Sequence, residues 1–147
     1  MQRRDKVVLQ KIINAIDVGL KVFNNISMEK FLNDDGMKLS MSMTIIRIGE
    51  LVKNLSEEFR QKNSQIEWKA IAGFRDIAAH KYETLRMRDV YDTIKNELPE
   101  LKLQIEKILE KKLKITPHSR RFFLCKNKFC DRIEKKFWSD KDERRKN

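Results

Sequence analysis

The sequence is poor in the residues that punctuate a chain. It holds four glycines and two prolines in 147 residues. Folds built from strands need many such turns, so an all-β architecture is disfavoured. Two cysteines are too few to staple a small scaffold and suit a reducing compartment. Long apolar runs are missing too. The longest stretch without a charge is Leu39 to Ile46, eight residues, far short of the roughly 20 that span a membrane as a helix. No apolar run follows Met1 to Asp5, so no secretory leader is expected and the default location is the cytoplasm. There is no Walker motif, no dinucleotide fingerprint and no G-x-S-x-G, and no cofactor is expected.

Charge, by contrast, is abundant. Charged residues make up 37% of the chain and apolar residues 40%, the balance of one soluble globular domain. The net charge of +11 is unevenly placed. Residues 1–110 carry 19 Lys and Arg against 17 Asp and Glu, whereas residues 111–147 carry 14 against 5. The expected organisation is therefore a nearly neutral helical domain over 1–110 and a basic extension over 111–147. Such an extension either holds phosphate backbones by counterion release or simply keeps the protein soluble.

Apolar spacing reads helical almost throughout. Val8, Ile12, Ile16 and Leu20 recur every fourth residue and predict a helix from about Arg4 to Phe23. Asn24-Asn25 breaks it, and Ser27 can cap a short helix carrying Met28, Phe31 and Leu32. Met37, Met41, Ile45, Ile48, Val52 and Leu55 predict a long helix from about Gly36 to Arg60, with a loop over Gln61 to Gln65. A third long helix starts near Glu67. A loop after His80 leads to Arg88, and a last long helix runs from there, with Pro99 marking a kink or restart. No alternating strand pattern is present. The fold class is all-α, an antiparallel bundle of four to five helices with short connections. Stripes this wide also suit a homodimer.

The residues that bear chemistry cluster in Arg75-Asp76-Ile77-Ala78-Ala79-His80-Lys81-Tyr82. Arg75 offers a permanent planar cation for a phosphate. His80 is the side chain whose proton affinity suits acid and base roles near neutrality. Arg and His without a carboxylate cluster suit metal-free cleavage of a phosphodiester by its neighbouring ribose 2′-OH. On a continuous helix Arg75 and His80 lie about 140° apart. Either the helix ends near Ala79 and the chain turns, or a second copy completes the site across a two-fold axis. Glu50, beside Gly49 and Arg47, is expected at a close helix crossing, where it can line the cleft and pair with Arg75. His118, Cys125 and Cys130 lack a fourth ligand and match no standard zinc spacing.

This stretch resembles the R-x4-6-H motif of the HEPN superfamily, and more closely the R-x4-H-x-Y form of HepT-type toxins. Those are the RNase halves of HEPN/nucleotidyltransferase toxin–antitoxin pairs. The likeness extends to Arg4-Asp5, Ile12 to Ile16, Phe31-Leu32, Ile48-Gly49-Glu50, Ile66 to Asp76, Val90 to Ile94 and Leu98-Pro99, in order along residues 1–110. Leu51 departs from the small residue usual at its position, and the segment from Lys111 onward has no counterpart. The resemblance implies a HEPN-like bundle, Arg75 and His80 as the RNase pair across a dimer cleft, and Asp76 orienting Arg75. It also implies an RNA substrate, and Tyr82 as the hydroxyl that a cognate minimal nucleotidyltransferase antitoxin modifies with AMP. Two rival readings are an inactive HEPN-like module that docks a nucleotidyltransferase, and a small nucleic-acid-binding protein whose basic tail does the binding.

Overall fold

A computed structural model describes residues 1–82 and 85–110. The basic extension, with His118, Cys125 and Cys130, lies outside the described residues. The described chain is all helix, without a strand. Its elements are α1 (Arg3–Phe23), α2 (Met28–Asn33), α3 (Asp35–Lys53), α4 (Glu57–Lys62), α5 (Trp68–His80), α6 (Met87–Asp92), a π-helical turn (Thr93–Glu97) and α7 (Leu98–Glu110). No helix among these residues is long and apolar enough to cross a membrane.

Local chemistry sets the boundaries. Asn24 and Asn25 take left-handed φ angles of 43° and 51° and end α1, a region that asparagine tolerates better than most side chains. Ser27 then caps α2 by accepting the Lys30 N–H. The long helix expected through Arg60 stops at Lys53. Asn54 takes the C-cap position and donates its side-chain amide to the Glu50 carbonyl. Ser56 starts α4 by accepting the Phe59 N–H. Leu55 is buried although it lies outside both helices, so the apolar period ran on through a break. The expected loop correspondingly begins at Asn63 rather than Gln61.

The kink expected at Pro99 takes the form of the π-helical turn just before it. Leu98 donates its N–H to the Thr93 carbonyl, five residues back. The wider turn suits a position whose neighbour, Pro99, has no N–H to give.

The core lies where α3 packs on α5 and on α1, with α7 against α1. Leu9, Ile12 and Ile16 from α1, Met41, Ile48 and Val52 from α3, and Ile94 and Ile105 from the last rod are fully buried. Gly19 lets α1 approach α3: a Cβ there would stand 2.6 Å from Thr44 Cγ2. Phe23, Phe31 and Tyr91 form an aromatic cluster with centroids 5.2 to 6.3 Å apart, and the Tyr91 hydroxyl donates to the Ile26 carbonyl at 2.8 Å. Met37 is half-buried and Met41 buried, whereas Met43 is exposed.

One buried charge fixes the start of α1 to the start of α4. Asp5 is 1% exposed. Its carboxylate accepts the Ser56 N–H at 2.9 Å, the Ser56 hydroxyl at 3.0 Å and the Gln2 N–H at 3.2 Å. Burial pushes its pKa up, but the Ser56 and Gln2 hydrogen bonds outweigh that and hold it below the ordinary value. Its contribution to stability is therefore complete above about pH 4, the unfolded carboxylate range, and is lost as pH falls through the lowered native value. Asp5→Asn is expected to cost about 1–3 kcal/mol at pH 7 and to flatten the acid limb of the stability curve. Urea unfolding from pH 7 to pH 2 reads both effects.

Candidate active site

The site is built on a close crossing of α3 and α5. Gly49 of α3 faces Arg75 of α5. A Cβ at position 49 would overlap the Arg75 Cβ and stand 2.9 Å from its Cγ and 3.2 Å from the Ile71 carbonyl oxygen. The absent side chain therefore makes room for the stem of Arg75. The next residue on α3, Glu50, then lies against the guanidinium and pairs with Arg75 Nε, the pairing expected from the sequence.

Four charges close the mouth of this crossing. Arg75 Nη1 donates to Asp76 Oδ1 at 2.8 Å, and Lys53 Nζ donates to the same oxygen at 2.6 Å. Lys53 also stands 3.9 Å from Glu50 Oε1. The Arg75 side chain is 21% exposed, while those of Glu50 and Asp76 are about half exposed. Arg75 is thus held on two edges by carboxylates. Among the described residues Nη2 has no protein partner. The hydrogen bonds from Lys53 and then Arg75 hold the Asp76 carboxyl below its ordinary range, so this link outlasts the unfolded carboxylate range on acidification. Lys53 had not stood out in the sequence. Its signal was its place three residues after Glu50, one turn along the same face.

His80 is the last residue of α5, and it is exposed. The helix stays regular to that point, with the Lys81 N–H closing on the Ile77 carbonyl. The turn near Ala79, one of the two geometries open to the sequence, does not form. His80 therefore lies about 7.5 Å along the axis and about 140° around it from Arg75, and the two do not share a face of α5. Tyr82 follows the helix at 37% exposure. Among the described residues no group of three or more His, Cys, Asp or Glu side chains is arranged to hold a metal ion.

The crossing makes opposite demands on two glycines. Gly49→Ala is expected to cost about 1–3 kcal/mol from overpacking and to displace Arg75. Gly73, on α5, has nothing within 4 Å of a built Cβ, so Gly73→Ala is expected to stabilise by about 0.5–1 kcal/mol. Thermal unfolding of the two variants side by side checks the pair.

With the geometry in place, comparison with known proteins is informative. The Ribonuclease HepT-like family matches residues 12–108, a span that includes Glu50, Arg75, His80 and Tyr82. "Putative RNase TTE0752" of Caldanaerobacter subterraneus is 38% identical over 103 residues, 70% of this chain and 92% of that protein. "Putative RNase MJ1216" of Methanocaldococcus jannaschii is 33% identical over 111 residues, 75% of this chain and 92% of that protein. "Probable ribonuclease HepT" of Thermococcus cleftensis is 31% identical over 108 residues, 74% of this chain and 98% of that protein. No solved structure matches. The chain belongs to the Ribonuclease HepT-like family.

Proposed function

We propose that the protein is a metal-independent endoribonuclease toxin that works as a homodimer and is silenced by a nucleotidyltransferase antitoxin through AMP addition to Tyr82. The observation that carries the reading is the state of Arg75. Its guanidinium is held in place by Glu50 and Asp76 and keeps one edge unpartnered among the described residues, five residues before an exposed histidine on the same helix. A cation fixed before the substrate arrives stabilises charge that develops on a phosphate without reorganising.

The chemistry needs no group beyond two copies of this chain. His80 accepts the proton of a ribose 2′-OH, whose oxygen attacks the adjacent phosphorus. Arg75 stabilises the charge gathering on the non-bridging oxygens. The 5′-oxygen leaves with a proton returned by the His80 imidazolium, giving a 2′,3′-cyclic phosphate and a free 5′-OH. Two-fold pairing brings Arg75 of one copy to a cleft with His80 of the other, which the divergence of the two along a single α5 calls for. Tyr82 is two residues from His80 and exposed. A nucleotide on its hydroxyl adds bulk and negative charge where RNA must enter.

Purified protein is expected to cleave RNA in the presence of EDTA and to leave cyclic phosphate ends. Arg75→Ala and His80→Ala should each lower the rate by about 10²–10⁴. An unmodified wild type that leaves RNA intact refutes the activity. Mixing the two inactive variants tests the shared cleft. Random pairing puts one intact Arg–His site in each mixed dimer and restores about a quarter of wild-type activity, whereas a site within one chain restores nothing. Intact mass of protein co-produced with a cognate nucleotidyltransferase should rise by whole AMP increments, and Tyr82→Phe should abolish the rise.

A further inference from the structure

The first three turns of α1 carry a second group of cations that this chemistry does not use. Arg3, Arg4 and Lys11 line an open cleft of about 490 Å³ with Val7 of the same helix, Leu51 of α3 and its C-cap Asn54. All three cations are exposed, and none has an ion-pair partner among the described residues. Their position is electrostatically uphill, because the start of a helix carries partial positive charge and favours acids. The single acid of that turn, Asp5, is turned inward onto Ser56, so it leaves the cleft's potential unneutralised.

The cleft and the Arg75 clamp share one exposed strip of α3. Gly49 marks the side of α3 that faces α5, and Thr44 marks the side that faces α1 through Gly19. At about 100° per residue, Glu50, Asn54 and Leu51 fall at roughly 100°, 140° and 200° from Gly49, with Thr44 at roughly 220°. A path over the outside of α3 therefore leads from Arg75 and Glu50 through Asn54 to the α1 cations. Arg47, exposed and one turn earlier on this strip, is another cation without an ion-pair partner among the described residues. Neighbouring helix axes lie about 8–10 Å apart, so the path is roughly 16–20 Å long, a few nucleotides of extended strand.

We infer that Arg3, Arg4 and Lys11 form a phosphate-backbone subsite that holds single-stranded RNA a few nucleotides from the bond cleaved at Arg75. The inference rests on the ribonuclease reading and adds the direction in which substrate leaves the scissile bond. Backbone contacts of this kind give affinity without reading sequence, so the subsite takes any single strand with a phosphate at the right spacing.

The test is binding of a 2′-O-methyl oligoribonucleotide, which has no free 2′-OH and is not cut, to the full chain across a salt series. Arg3→Ala/Arg4→Ala/Lys11→Ala should weaken binding about tenfold or more at low salt. It should also reduce the slope of log affinity against log salt by about 2, three phosphates at about 0.7 each. Lys69→Ala, an exposed cation on α5, is the control and should change neither. Circular dichroism and the thermal midpoint verify that the triple variant is folded. A folded triple variant with wild-type affinity and slope overturns the subsite, and so does one that keeps RNA binding but loses a co-produced nucleotidyltransferase, which would make the cleft a protein-docking surface. Cleavage is scored separately. Wild type that binds the oligonucleotide yet leaves cleavable RNA intact refutes the activity while the slope still decides the subsite.

Discussion

The approach of α3 to α5 at Gly49 is the constraint from which the rest of the site follows. With no side chain at that position, the stem of Arg75 occupies the space a Cβ would fill, and the guanidinium lies against Glu50. Half-burial there removes much of the freedom that a long cationic side chain keeps on an open surface. The geometry is set by helix packing before any electrostatic contact is made, and the ion pair with Glu50 then selects one rotamer within it.

The charges around that guanidinium balance. Two carboxylates, Glu50 and Asp76, face two cations, Arg75 and Lys53, so the resting mouth is locally neutral. An isolated cation would be free to fold back on any nearby acid, and an unpaired pair of acids would repel a phosphate. Lys53, bridging Asp76 and Glu50, offsets the second acid. Because both carboxylates are about half exposed, each pair contributes little to stability on its own. Its value lies in orientation, since it orders the Arg75 fork. Asp5 illustrates the opposite case: it is buried, hydrogen-bonded by three donors, and spent wholly on fixing two helix starts together.

How much of this was legible in the sequence depends on the range of the interaction. Helix existence followed from local apolar spacing, and the breaks at Asn24-Asn25 and Ser27 followed from side chains that act within three residues. The break at Asn54 to Ser56 was hidden because Leu55 continues the apolar period into a non-helical residue. What stops the helix there includes a hydrogen bond from Ser56 to Asp5, 51 positions away. The pairing of Glu50 with Arg75 was readable because Gly49 announced a close crossing. Lys53 and the cleft at Arg3, Arg4 and Lys11 were not, since each depends on which helix faces lie side by side. The separation of Arg75 from His80 was simple helix arithmetic, and α5 keeps it by staying regular to its last residue.

The π-helical turn at Thr93–Glu97 has a consequence for how this protein's relatives should align. It gives the last rod one more residue than a regular helix would use over the same rise. The apolar faces of α6 and α7 both point inward, through Val90 before the turn, Ile94 within it and Leu98, Leu101 and Ile105 after it. Deleting one position between 93 and 98 would let the turn close to ordinary winding over the same rise, with α7 keeping its buried face. A relative one residue shorter there is therefore expected to bury the same downstream apolar face from an unbroken α-helix.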